Sequence, residues 1–323
     1  MMTDTWTWAT VTQASPLRIK VDGDTSALDA TTDNLVGSLA VDDRVRVHLH
    51  SDGIIVTGIR GGGNRSNPNL LINSDFMVNQ RGAVSGATVS DDDYFLDRWK
   101  NSTGFPRDYS WADSGGVRTV TVGTVDTSAN IGQVIEQANV PAGDYTLSWA
   151  DNVIGRVYNV GGTGSYGDSP VTVTLDGTAD VLVELRGEGW TLSDVKFERG
   201  TVATPSQPPL YADNLRACYR YYQKFIDSTS GARFGNGFAS TSTVYRIFVP
   251  LLAPLRIASP TVSHNDLKVY DGEGALPVSS LTIPAPGTNV LLLLAGVSGA
   301  TTYRPGELVA DSPASYVALD AEL

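Results

Sequence analysis

Five short runs recur at close spacing between Gln133 and Gly200, and they constrain the fold more than any other feature of the chain. They read QVIEQANV (Gln133–Val140), DYTLSWA (Asp144–Ala150), VTVTLDG (Val171–Gly177), DVLVELRG (Asp180–Gly187) and WTLSDVKFERG (Trp190–Gly200), with glycine, asparagine and aspartate between them. Apolar residues alternating with polar ones, bounded by turn formers, mark half-buried strands; several in series predict an antiparallel sandwich or jelly roll. Tyr145, Leu147 and Trp149 fall on one face of such a strand, and Trp149 and Trp190 are expected in the core.

The same period extends upstream. Leu17, Ile19 and Val21 alternate with Arg18 and Lys20, and Val45, Val47 and Leu49 with Arg44, Arg46 and His48. The second run meets Ser51–Gly53 and then IIVTGI, which predicts a hairpin. Together with TWTWATVT near the start, this gives a small barrel of the oligonucleotide/oligosaccharide-binding (OB) shape over residues 1–60. Two punctuated seams divide the chain beyond it. RGGGNRSNPN (Arg60–Asn69) has no side chains to pack at its glycines and reads as a flexible linker over 61–68, whereas TVATPSQPPL (Thr201–Leu210) is stiffened by three prolines. The expected organisation is therefore a barrel at 1–60, a Gly-rich linker at 61–68, a jelly roll at 69–205, a Pro-rich connector and helix at 206–226, and a β-rich domain at 227–323. A chain of 323 residues is long enough for two or three cores.

One stretch breaks the strand pattern. RACYRYYQKF (Arg216–Phe225) reads as an amphipathic helix, and Tyr211, Leu215, Cys218, Tyr222 and Phe225 follow the alternating four- and three-residue steps of a coiled-coil seam. Arg216, Arg220 and Lys224 run down another face. A short helix needs packing to be stable, and the seam fits either copies of itself in a bundle or a neighbouring sheet of the same subunit.

Several functions are disfavoured. The net charge is −12 and no basic stripe appears, so nucleic acid is a poor partner. The longest apolar run, VLLLLAGV from Val290, is far short of a membrane span, and MMTDTWTW lacks the basic start of a signal peptide. The single cysteine, Cys218, allows no disulfide and no multi-thiolate metal site, and reads as a buried apolar residue. His48 and His50 share a strand face and read as surface residues. His264 lies beside Ser263 without a nucleophile elbow, and GGTGSYGD (Gly161–Asp168) lacks the ending of a phosphate loop. Asp91, Asp92 and Asp93 are adjacent rather than spaced as calcium ligands usually are. No cofactor, metal or catalytic residue is expected, although paired glycosidase carboxylates leave no spacing signal. Sugar recognition is the sharper possibility, because exposed aromatic faces suit sugar C–H surfaces; the candidates are Trp111, Tyr158, Tyr166, Tyr245, Tyr270 and Tyr303.

NLLINSDFMVNQRG (Asn69–Gly82), YFLDRW (Tyr94–Trp99) and LSDVKFERGTVATP (Leu192–Pro205), followed by LRACYRYYQKF, VPLLAPLRIASPTV (Val249–Val262) and YVALDAEL (Tyr316–Leu323), occur in this order. Together they resemble the carbohydrate-binding-like jelly roll, helix and β-rich tip of bacteriophage tail fibres and minor tail proteins. WATVTQASPLRIKVDGD (Trp8–Asp24) with DRVRVHLH (Asp43–His50) resembles the N-terminal domain of minor tail proteins from phages of actinobacteria. The resemblance implies a virion protein made in the host cytoplasm. It also implies a homotrimer joined through the helix, held to other tail-tip proteins by the barrel, and facing a host cell-surface polysaccharide or protein at the C-terminal tip. That orientation favours Tyr245, Tyr270 and Tyr303 as contacts. A purely structural tail-tip component, and a carbohydrate-active enzyme or its accessory module, are the alternatives.

Overall fold

A computed structural model describes residues 5–14, 17–28, 32–34, 44–50, 53–59, 67–114, 117–122, 129–226, 229–284 and 290–322. The protein is mainly β. It divides into two compact units, Met1–Pro68 with Val202–Gln207, and Asn69–Thr201 with Pro208–Leu323. Residues 61–66 of the predicted glycine linker (61–68) lie outside the described residues.

The smaller unit holds β1 (Thr5–Ala14), β2 (Leu17–Val21), β3 (Thr32–Asn34), β4 (Arg44–His50) and β5 (Gly53–Ile59), in the sheet order β2-β1-β4-β5-β3. The alternation read from the sequence is realised: Ile19, Val45 and Val47 are fully buried with Ala9, Val11 and Val56, while Arg46 faces solvent. The β4–β5 hairpin forms, with His50 opposite Gly53. Among the described residues β2 and β3 are the outer strands of this sheet and do not pair with each other. His48 stacks on Trp6 at 4.3 Å.

The larger unit begins with β6 (Ala87–Val89), β7 (Tyr94–Leu96), β8 (Trp99–Asn101), β9 (Arg107–Ser114), β10 (Val117–Val122) and β11 (Ala129–Ile135). It continues with β12 (Gly143–Ala150), β13 (Ile154–Asn159), β14 (Val171–Leu175), β15 (Val181–Gly187) and β16 (Thr191–Arg199). These form a six-stranded sheet, β14-β12-β16-β10-β9-β6, and a five-stranded sheet, β13-β15-β11-β8-β7. One core lies between them, built from Trp99, Tyr109, Tyr145, Leu147, Trp149, Val183, Trp190 and Phe197. Trp149 and Trp190 are thus where the sequence placed them.

After α1 (Tyr211–Cys218) come β17 (Tyr222–Ile226), β18 (Arg233–Thr241), β19 (Val244–Pro250), β20 (Thr261–Asn265) and β21 (Leu267–Tyr270). The last strands are β22 (Ala275–Pro277), β23 (Ser280–Thr282), β24 (Val290–Gly296), β25 (Pro305–Ala310) and β26 (Tyr316–Asp320). They make a three-stranded sheet, β17-β26-β20, and a seven-stranded sheet, β22-β21-β25-β18-β19-β24-β23, over a second core that includes Tyr245, Ile247, Leu293, Leu308 and Leu319.

The predicted helix is corrected in both directions. It starts earlier and stops at Cys218; Tyr221 N–H bonds back to Cys218 O at 2.9 Å, and Tyr222–Ile226 then runs as a strand against β26. Only a few residues of helix could have continued, whereas the strand gains a five-residue ladder with a distant segment, from Tyr222 opposite Asp320 to Ile226 opposite Tyr316. Tyr222 and Phe225 therefore do not share a helical face with Tyr211, Leu215 and Cys218. The helix docks within its own subunit: Cys218 is fully buried, and the buried Asn214 accepts from Asn73 N and donates to Asp75, each at 2.7 Å. Burial pushes the Cys218 thiol well above its ordinary range, which suits an inert apolar residue.

NLLINSDFMVNQRG and YFLDRW build the joint between the two cores. Asn73 sits at φ 56° and closes its loop with its own side chain, accepting from Val78 N and donating to Val78 O and Asp97 O, while Trp99 Nε1 donates to Asn73 O at 2.7 Å. Arg98 is buried, pairs with Glu322 and donates to Val134 O; its guanidinium lies 3.5 Å from the Tyr221 ring centroid. Arg81 lies over the rings of Tyr94 and Tyr222 and pairs with Asp320 and Glu322. Arg220 and Tyr221 both bond Glu136 from the C-terminal side. Asn73, Arg81, Arg98 and Trp99 of these two motifs thus hold the joint together.

Asp97, fully buried at this joint, carries a pH dependence. Burial pushes its carboxyl from the usual 3.8 to about 6, against the opposing pull of the Gln80 N–H and the Arg81 charge. Between those values the folded state holds a proton that the unfolded chain has lost. Stability from this group is therefore complete below pH 4 and falls as pH rises through 6, by roughly 3 kcal/mol in all. In Asp97→Asn this fall should vanish from the pH profile of denaturant midpoints. An unchanged slope between pH 4 and 6 would show that Asp97 is not its source.

Candidate functional site

β18 carries the sequence RFGNGFAST, in which Phe234 and Ala239 are buried while Asn236 and Phe238 face out. The registers of the seven-stranded sheet extend these positions across neighbouring strands. Tyr270 lies opposite Glu307, Glu307 opposite Asn236, Asn236 opposite Phe248, and Phe248 opposite Leu292. A second row joins Pro305, Phe238, Arg246 and Leu294. The outer face of the sheet is therefore an ordered array of aromatic and polar side chains.

Two adjoining hollows of about 590 and 320 Å³ open on this face and share Asn236 and Glu307. Tyr270 and Phe238 border the larger and Phe248 the smaller; they are 50%, 37% and 44% exposed respectively. Gly237 and Gly306 also line the larger hollow, and neither has room for a side chain on its inner side. A Cβ on Gly306 would stand 2.6 Å from the Tyr245 ring, and one on Gly237 would stand 1.7 Å from Arg246 O.

The carboxylates here are matched by arginines. Glu307 accepts from Arg233 Nε at 2.6 Å, and Arg304 pairs with Glu273 and lies near Asp271. Slight burial acts to raise the Asp271 carboxyl, but the N–H groups of Glu273 and Gly274 and the Arg304 charge outweigh it and hold it below the usual range. The trough is thus a nearly charge-balanced surface of ring faces with the Asn236 amide and the Glu307 carboxylate between them. That combination suits a neutral polyhydroxylated ligand: C–H faces pack on rings, and hydroxyls donate to carboxylate and amide oxygens.

The sequence candidates separate. Tyr270 is on the trough. Tyr245 is not a surface residue; it is fully buried beneath the trough, and its hydroxyl faces Asp271. Tyr303 is 80% exposed but lies in the turn before β25 rather than among the lining residues. Tyr158 and Tyr166 converge on the buried Glu184, with hydroxyl distances of 2.9 and 3.5 Å, and Arg156 binds the same carboxylate. The guanidinium groups of Arg156 and Arg186 lie 4.3 and 3.8 Å from the Tyr166 ring centroid, leaving little of the ring for a sugar. Burial and then the Glu184 carboxylate push the Tyr158 hydroxyl up to about 12. Trp111 is half-buried at a separate cavity. Phe238, Phe248, Asn236 and Glu307 escaped the sequence reading; the signal for Asn236 and Phe238 was their two-residue alternation with Gly235 and Gly237, and Phe248 and Glu307 lie on other strands.

Ser263 and His264 are neighbours on β20, where successive side chains point to opposite faces, so they do not form a dyad with each other. Asp91 accepts from Gly104 N and Asp92 pairs with Lys100. Among the described residues no three His, Cys, Asp or Glu side chains are placed to hold a metal ion, and no helix is long and apolar enough to cross a membrane.

No family model matches the chain, and no curated protein matches it. Among solved structures, a match is the Paenibacillus sp. cycloisomaltooligosaccharide glucanotransferase complexed with cycloisomaltoheptaose, at 10% identity and a TM-score of 0.21. The match covers 75% of this chain and 46% of that one, and at that score it carries no argument about fold or function.

Proposed function

We propose that this chain is a non-enzymatic adhesion protein of a phage tail, a minor tail protein or fibre, that meets a host cell-surface polysaccharide through the trough on its C-terminal sheet. The observation that carries the proposal is the array of Tyr270, Phe238 and Phe248 around Asn236 and Glu307. The ordered sequence motifs support the phage assignment. The smaller unit, read as an OB-like module, attaches the protein to other tail-tip proteins, and the two-sheet sandwich is a carbohydrate-binding-like jelly roll.

The proposal includes a homotrimer. With Tyr222 and Phe225 on a strand and Cys218 in the core, its helical contact narrows to Tyr211, which is 55% exposed, and Leu215 one turn on. Three tips on one axis would convert weak individual contacts into durable adhesion. Light scattering should give a trimeric mass that Leu215→Asp reduces; a monomeric wild type removes this part of the proposal.

Adhesion is tested by adding labelled full-length protein to bacteria of the phage's host and to a resistant strain lacking the surface polysaccharide. Decoration of the first alone is expected. Equal binding to both, or to neither, would overturn the reading.

A further inference from the structure

We infer a second sugar-binding pocket, in the two-sheet sandwich, that is separate from the trough and does not depend on the phage assignment. A cavity of about 470 Å³ opens where β6 and β7, the last strands of their respective sheets, come together. Its size is that of a small-ligand site, commonly about 300–1,000 Å³.

Trp111 makes one wall. It packs against the sandwich core and has the Arg118 guanidinium 5.6 Å from its ring centroid, so its orientation is fixed while part of the ring remains exposed. Tyr94 and Phe95 lie behind the cavity, and Ser90 and Asp93 stand on its rim. Asp92 is engaged by Lys100, whereas the exposed Asp93 carboxylate has no partner among the described residues. Arg81 also lines the cavity, but its charge is met by Asp320 and Glu322.

A flat indole wall beside an unengaged carboxylate and a hydroxyl, with no uncompensated cation, is chemistry for an uncharged pyranose. Its C–H face would pack on Trp111, and its hydroxyls would donate to Asp93. Anionic sugars and phosphates would meet Asp92 and Asp93 without a free cation to offset them.

The test titrates the full chain with the methyl glycosides of glucose, galactose, mannose and N-acetylglucosamine, following tryptophan fluorescence and heat. Saturable binding of at least one is expected, weakened about tenfold or more by Trp111→Ala and by Asp93→Ala, and unchanged by Tyr303→Ala, which lies outside both the cavity and the trough. Asp93 is exposed, so its variant should keep the fold even if loss of the packed Trp111 does not, and unfolding curves verify this. No saturable response to any of the four, an affinity in Asp93→Ala within about twofold of wild type, or equal affinity for glucuronate would overturn the inference. Cell decoration reports on the trough reading separately.

Discussion

Replacing Arg98 with methionine is expected to destabilise the larger unit by about 3–5 kcal/mol, because it strips a buried charge of its partner. Arg98 and Glu322 are 1% and 4% exposed, and Arg98 also bonds Val134 O and stacks on Tyr221. Without Arg98, the Glu322 carboxylate is left with the more distant Arg81 and stands near the buried Asp97. Adding Glu322→Gln to Arg98→Met should recover part of the loss, since the unpaired charge goes with it. Arg233→Met is the control: Arg233 and Glu307 are 71% and 40% exposed, and surface pairs contribute about 0–1 kcal/mol. Urea unfolding at pH 7 measures all four proteins. A cost below about 1 kcal/mol for Arg98→Met would mean that the joint does not hold the two cores together as described.

Gly237→Ala should be the next most damaging single change, at about 3 kcal/mol or more, toward the upper end of overpacking costs. The added Cβ would stand 1.7 Å from Arg246 O and 2.7 Å from its carbonyl carbon. Both are backbone atoms of the partner strand, so no side chain can swing away to relieve the contact. The β18–β19 pairing must open, and with it the alignment of Asn236 with Phe248. Gly274→Ala is the matched control, because nothing lies within 4 Å of a Cβ there. Thermal unfolding should separate the two variants clearly; equal melting temperatures would mean that β18 and β19 do not approach as closely as this.

What the sequence made legible was whatever depends on neighbouring residues. Val45 and Val47 are buried because a strand alternates, and Tyr145, Leu147 and Trp149 line one core face for the same reason. What it hid depends on partners far along the chain. Tyr211, Leu215, Cys218, Tyr222 and Phe225 have helical spacing, but Tyr222–Ile226 is claimed by β26, near the other end of the larger unit. The motifs of the joint were recognisable as strings, yet their role as the buried contacts of Asn73, Asp97 and Arg98 emerges only once Asn214, Tyr221 and Glu322 are brought to them. The trough was missed because no local rule sets Tyr270 beside Glu307 or Asn236 beside Phe248. Sheet register does that.

The most direct measurement of the central claim is the affinity of labelled protein for host cells, in wild type, in the Phe238→Ala/Tyr270→Ala double variant and in Tyr303→Ala. Phe238 and Tyr270 border the larger hollow and are 37% and 50% exposed, so removing them should leave the fold intact. Tyr303 is more exposed than either but lies off the trough. The double variant should lose at least about tenfold in affinity, the scale of one or two interface anchors, while Tyr303→Ala binds as wild type. Wild-type binding by a folded double variant, or loss confined to Tyr303→Ala, would contradict the trough as the surface that meets the cell.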